Sequence, residues 1–499
     1  MTNRENTHLT SLAALQETRL VRTLARFDII LFIIAAYISL DTIGSIAVGG
    51  SQSLFWAVVL VITFMAPIAL LMAETGSAFP EEGGPYQWVK FAFGRLPAGI
   101  ASVLYWITNP IWLGGSLCFI AFDAFSAYVI HIPGHSSGEW IFKLAFIWIA
   151  IGLAMVSLKF GKKIINFAAM AKIAVLIIMV LTTVVYGIKN GFQPFDFGGL
   201  APSITGFMAV APIILFSYVG FEAPNAASGE MLNPQKDTAP SIRIGSIVSA
   251  LAYILPVLAI LLVVPKKEVG GLAGFMSAVE TVFSVYGAAS HFLLGCAAIL
   301  FVIGLLGLGS SWMMSTDRVQ AIAAADGAFL NGWFGEFSER FGTPVRVNAL
   351  SGVMASIFLF AGMKLVNGDS GAIFAVVLSC AVSTLLVSYL LIIPAVMKLN
   401  RSFPDVPRPF TTPGGRRGFQ IMGSVVLIYI FLGSLGVLFP GAVEGLLGID
   451  YNFQDIWGLS RSQVEAFTLG TIAFDIAVGL VGYALASRVR KNVVAESEI

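Results

Sequence analysis

The sequence predicts an all-α membrane protein with twelve transmembrane helices. Of its 499 residues, 57% are hydrophobic and 11% charged, less than half the ~25% charge of soluble domains. Mean hydropathy is +0.87. Continuous apolar runs such as Phe55–Leu71 and Ala174–Val185 lack the period-2 alternation of barrel strands, and helices are the other structure that satisfies its own backbone in hydrocarbon. Lys and Arg also fall mainly into alternate loops, as the positive-inside rule requires.

A spanning helix needs about 20 mostly apolar residues. Candidate spans run over 27–49, 54–77, 96–129, 138–157, 164–188, 203–231, 242–264, 281–314, 346–365, 370–398, 419–440 and 466–487. With the N-terminus cytoplasmic, the even-numbered loops and both tails carry 22 of the 29 Lys and Arg residues. That asymmetry fits both termini inside a cell (plasma) membrane, and an even number of spans. No small-residue cleavage site follows the first apolar run, so the first span reads as uncleaved. Residues 1–26 and 488–499 form polar cytoplasmic tails. The Pro-rich basic loop 399–418 separates a ten-span core from a final pair, 419–487.

The core divides into two five-span halves, 27–188 and 203–398. In inverted-repeat transporters, Gly-interrupted helices at matching positions of the two halves point to the substrate site. Span 1 carries Asp41-Thr42-Ile43-Gly44-Ser45-Ile46, and span 6 carries Ser217-Tyr218-Val219-Gly220-Phe221-Glu222. Each mixes glycine, small polar residues and one carboxylate. The competing reading is close helix packing at glycine. Breaks are expected at Gly44-Ser45 and at Ser217–Glu222, with backbone groups of Ile43, Gly44, Ser45, Ser217 and Gly220 turned toward a ligand.

Charge inside a span is costly and functional by default, and three such residues are singled out. Asp41 is expected one turn before the span 1 break, able to hold an ammonium or a proton; a hydrogen bond to a neighbouring helix is the structural alternative. Glu222 is a proton-binding candidate, or a cap on unwound backbone. Lys172 lies about nine residues past Lys163, roughly 13 Å at 1.5 Å per residue, too deep for easy snorkelling. Phe216, Tyr218 and Trp312 are aromatic ligand candidates worth about 0.5–2 kcal/mol to a cation, against ordinary helix packing. Cys118, Cys296 and Cys380 read as packing residues within spans. His131 and His135 have no third ligand at metal spacing, so neither a metal nor a cofactor is expected. No nucleotide loop or protease motif is present, and no charged ring suggests a channel. The chain therefore reads as a secondary transporter and not an enzyme.

Four motifs, in order, carry a family resemblance. They are Ala73-Glu74-Thr75-Gly76 through Pro80-Glu81-Glu82-Gly83-Gly84-Pro85; Phe216 to Glu222 with Gly229-Glu230-Met231-Leu232-Asn233-Pro234; Asp317-Arg318 with Ala325-Asp326-Gly327 and Gly342-Thr343-Pro344; and Arg408-Pro409-Phe410 with Pro413-Gly414-Gly415. The chain resembles the amino acid–polyamine–organocation transporters, and within them the proton-linked amino acid/amine exchangers of the glutamate/GABA type. The resemblance implies the leucine-transporter fold, a 5+5 inverted repeat plus two helices. It implies an amino acid or amine substrate moved by sodium-independent proton symport or exchange. It also puts Asp41 against the substrate, gives Glu222 a gating role, and puts Lys172 where sodium-coupled members hold a cation. One departure stands out. The family's Gly-Ser-Gly in span 1 is Gly44-Ser45-Ile46 here, which leaves less room for a substrate carboxylate and favours an organic amine as the alternative substrate.

Overall fold

The computed structural model describes residues 16, 20, 22–156, 158–265, 274–365, 370–450 and 460–491. Among these, ten helical stretches are long and apolar enough to cross a membrane. They are Ser51–Ala78 (span 2), Arg95–Tyr128 (span 3), Ser137–Met155 (span 4), Gly161–Asn190 (span 5), Pro234–Val263 (span 7), Gly274–Ala325, Val345–Lys364 (span 9), Val376–Ser402 (span 10), Gly415–Leu438 (span 11) and Arg461–Leu485 (span 12). The Gly274–Ala325 stretch is not one rod. It comprises a short capping helix, Gly274–Phe283, and the long span 8, Ser290–Ala325. The other two expected spans are interrupted. Span 1 is a bent pair, Arg26–Tyr37 (span 1a) and Leu40–Ala47 (span 1b), with a 45° bend. Span 6 is the shorter helix Ile204–Ser217 (span 6a), followed by the 3-10 segment Ala223–Glu230 (span 6b).

The span 1 break differs from the expected one. It falls at Ile38 and Ser39, whose backbones are extended (φ −76°, ψ 108° and φ −100°, ψ 95°). Gly44 and Ser45 lie within span 1b, and Asp41 sits just after the break instead of a turn before it. No glycine or proline marks the true break, because partners on other spans make it. Gly44 serves close packing: a Cβ there would lie 3.0 Å from the Phe275 nitrogen and 3.3 Å from Gly274 Cα, on the capping helix. The backbones meet where a side chain would separate them. Of the cysteines, Cys118 and Cys380 are buried as expected, whereas Cys296 is exposed on span 8.

One face of the bundle carries the Lys- and Arg-rich loops, and the family motifs gather there. The loop between spans 2 and 3 wraps span 6b: the Gly83 nitrogen donates to the Ala226 carbonyl (3.1 Å), and the Gly229 nitrogen to Glu82 (2.8 Å). Arg318, fully buried, donates to Glu230 (2.6 Å) and stands 3.5 Å from Glu82. Asp326 collects Lys90 (2.8 Å), Arg95 (3.0 Å) and the Tyr86 hydroxyl (2.7 Å). Burial and the Asp326 carboxylate push the Tyr86 phenol well above its ordinary value, so it remains a donor. Glu74 joins span 2 to the end of span 10 through Asn400 (2.8 Å), and to the loop before span 11 through Arg408 (3.2 Å) and the Thr412 nitrogen (2.7 Å).

These knots differ sharply in what they contribute. Arg318→Met leaves the Glu230 carboxylate buried without its cation, and removing one partner of a buried pair costs about 3–5 kcal/mol. The exposed pair Arg346–Glu336, with side chains 35% and 44% accessible, falls in the ~0–1 kcal/mol class. Thermal unfolding in detergent is expected to show a large loss for Arg318→Met and almost none for Arg346→Met.

Candidate functional site

A hydrocarbon interior offers no water to an interrupted helix, so each freed carbonyl needs a protein donor. At the span 1 break, mostly other spans supply these donors. Lys172 Nζ, from span 5, donates to the carbonyls of Ala35 (2.7 Å) and Ile38 (2.5 Å). Trp312 Nε1, from span 8, donates to that of Ala36 (2.5 Å). The Tyr253 hydroxyl, from span 7, donates to that of Tyr37 (2.8 Å) and accepts from the Ser39 nitrogen (3.0 Å). The Thr42 hydroxyl closes the series on the Ser39 carbonyl (3.0 Å). The Lys172 ammonium thus lies at the C-terminal end of span 1a, the negative end of the helix dipole.

The span 6 break lies at the expected stretch. Tyr218 leaves the helix (φ −106°, ψ 9°), and Gly220 takes φ +120°, a conformation strained for any residue with a Cβ. A Cβ on Gly220 would also lie 2.9 Å from the Trp312 ring. The two breaks touch. Tyr37 stacks on Phe221 with ring centroids 4.1 Å apart, and the Ser217 hydroxyl donates to that of Thr42 (2.9 Å).

Between the breaks lies a narrow cavity lined by Ala36, Tyr37, Ser39, Trp112, Phe216, Ser217, Val219 and Trp312. All eight are buried, and the cavity has room for about one water. Phe216, Ser217 and Trp312, expected from sequence, line it. Trp112 of span 3 does too, meeting Phe216 edge-on at 5.0 Å and Trp312 at 6.4 Å. Asp41 stands directly behind this wall: it accepts from Trp112 Nε1 (2.9 Å) and from the Ser39 hydroxyl (2.9 Å). Glu222, fully buried, accepts from the Tyr105 hydroxyl of span 3 (2.8 Å). The Tyr105 ring lies 5.9 Å from that of Trp312.

Several expected residues stand elsewhere. Ile43, Gly44 and Ser45 do not line the cavity, because the break lies further back along the chain. Tyr218 turns away, its hydroxyl on the Ala57 carbonyl of span 2 (3.2 Å). Gly220 shapes the wall through its approach to Trp312 without lining it. Tyr37, Ser39, Tyr105, Trp112 and Tyr253 were not singled out by sequence. Among 12% aromatic residues, only reach to a particular carbonyl or carboxylate distinguishes Tyr105, Trp112 and Tyr253.

Residues 24–446 match the family model described as amino acid permease. The chain belongs to the amino acid permease family. That is a family of transporters, within the superfamily that the four motifs indicated. Over 419 residues, 83% of this chain and 87% of the relative, the permease is 24% identical to a protein named a probable agmatine/putrescine antiporter of Lactococcus lactis. It is 25% identical over 442 residues to the branched-chain amino acid permease of Bacillus subtilis, covering 83% and 88% of the two chains. A manganese transporter of Eremococcus coleocola superposes with a TM-score of 0.58 at 13% identity, over 93% of this chain and 95% of that one. This likeness agrees with the leucine-transporter type of fold expected from sequence.

Gly220→Ala tests the site's geometry. A methyl at φ +120°, 2.9 Å from Trp312, must move either the ring or the break. Substrate uptake is expected to fall more than tenfold while the purified protein stays folded, as judged by a monodisperse elution profile.

Proposed function

We propose that this permease is a sodium-independent secondary transporter that moves amino acids by proton symport or exchange, using alternating access around the cavity between the two breaks. The observation that carries this reading is Lys172. Its ammonium spans the carbonyls of Ala35 and Ile38, and its stem passes Gly304 of span 8. A fixed cation joining spans 1, 5 and 8 supplies the charge that a bound sodium ion would otherwise bring. Asp41 and Glu222 are the carboxylates poised for proton coupling. One lies behind the cavity wall, and the other bonds to Tyr105 beside Trp312.

In this cycle the halves 27–188 and 203–398 act as inverted repeats. Spans 1, 2, 6 and 7 rock against the others, and the knots around Arg318, Asp326 and Glu74 hold the basic face shut. That face is cytoplasmic, with both termini on it, in the cell membrane. Relatives of this chain include both an amine antiporter and an amino acid permease by name. An organic amine is the second reading, favoured by Asp41 in the first turn of span 1b.

Reconstituted protein should take up labelled substrate equally in sodium and in choline buffers, and faster when an inward proton gradient or internal substrate is supplied. Lys172→Met is expected to reduce uptake more than tenfold under every condition. Sodium-stimulated uptake by the unaltered protein would falsify the role given to Lys172.

A further inference from the structure

We infer that Trp112 sets the largest side chain the cavity accepts, and that Asp41 acts on the substrate through it as a positioning residue, a selection step that rests on the transport reading above. Four aromatic rings line the cavity: Tyr37, Trp112, Phe216 and Trp312. Phe216 has no polar atom to anchor its ring, and it meets Trp112 edge-on. The two indoles, in contrast, are each tied to span 1, on opposite sides of its break. Trp312 Nε1 donates to the Ala36 carbonyl in span 1a (2.5 Å), and Trp112 Nε1 to Asp41 Oδ2 in span 1b (2.9 Å). The width between them therefore follows the bend of span 1.

Asp41 suits that task better than contact with a ligand. It does not line the cavity. Each of its oxygens already has a donor: Oδ1 accepts from the Ser39 hydroxyl (2.9 Å) and Oδ2 from the indole. A hydrogen bond to a carboxylate is about twice as strong as one between neutral groups, and both Asp41 and Trp112 are buried. The Trp112 backbone has no room to retreat either. Span 3 passes at once into a π-helical turn, Leu113–Leu117. There a Cβ on Gly114 would strike the Ala355 carbonyl of span 9, and one on Gly115 the Val377 side chain of span 10. With ring and backbone both fixed, an extra methylene on a ligand has no space to gain on this side. A hydrophobic pocket discriminates by about 10–200-fold per methylene.

The test is calorimetric titration of the purified full-length protein with two homologous series. One is alanine, valine, leucine and phenylalanine. The other is the amines that lack their carboxylate: ethylamine, isobutylamine, isopentylamine and 2-phenylethylamine. In whichever series binds, the readout is the ratio of affinities for the largest and the smallest member. Trp112→Ala is expected to raise that ratio about tenfold or more. Asp41→Leu, which removes the acceptor, should raise it in the same direction by about threefold or more, and should add nothing to Trp112→Ala in the double variant. Asp41→Asn should keep the original ratio, because its Oδ1 still accepts from the indole. If Asp41→Leu does not fold, Asp41→Ser, too short to reach the indole, takes its place. An unchanged ratio in Trp112→Ala overturns the size limit. An unchanged ratio in Asp41→Leu, or equal weakening of every member that adds to the effect of Trp112→Ala, overturns the positioning role. Either result leaves the transport reading standing when proteoliposomes take up the compounds that bind. Absence of binding and of uptake for both series in the unaltered protein overturns both.

Discussion

The architecture depends on the carbonyls that span 1 exposes between Ala35 and Ser39. Each unpaired group in hydrocarbon would cost several kcal/mol, so the interruption exists only because other spans serve it. Lys172 reaches it from span 5, Trp312 from span 8 and Tyr253 from span 7. Three helices distant in sequence are thereby tied to one point. Any movement of span 1a relative to span 5 or span 8 must exchange these bonds for others. That gives the bundle discrete arrangements in place of a continuous range.

The rest of the site is built outward from that point. Trp312 bonds to the Ala36 carbonyl, and its ring must also pass Gly220, so span 6 needs glycine there. Tyr37, held through its carbonyl by Tyr253, stacks on Phe221 and carries the position of span 1 across to span 6. Ser39, whose nitrogen is satisfied by the same Tyr253 hydroxyl, stands just before span 1b and steadies Asp41 together with Trp112. Further along, span 6b is clamped by the span 2–3 loop and by Arg318. The break, the cavity wall and the clamp on span 6b are therefore joined by hydrogen bonds and ring contacts.

Much of this was legible in the residues, and the exceptions have a common cause. Long apolar runs dictate spanning helices because lipid leaves the backbone no other choice, and most helices follow those runs, although span 7 begins at Pro234 and span 8 runs on to Ala325, both well beyond the apolar stretch. Lys172 was legible because an ammonium so deep in a span needs partners. The span 6 break was legible because Gly220 is a residue whose conformation the chain cannot otherwise adopt. At span 1 the sequence points to Gly44, since the true position, Ile38-Ser39, carries neither glycine nor proline. Its cause lies in Lys172, Trp312 and Tyr253, more than a hundred residues away. Gly44 answers to packing against Gly274, a pressure that leaves the same mark on a sequence as a break does. Trp112 and Tyr105 were hidden in the same way: only the fold brings them to Asp41 and Glu222.

The interruption in span 1 is thus a property of the assembled bundle, with Lys172 its principal support. Hydrogen–deuterium exchange of peptides covering residues 34–47, in the unaltered protein and in Lys172→Met, tests this most directly. The account predicts that exchange there accelerates at least tenfold in the variant, with the middles of spans 3 and 10 unchanged. Equal exchange over 34–47 in the two proteins would contradict it, and would mean that span 1 breaks by its own local preference.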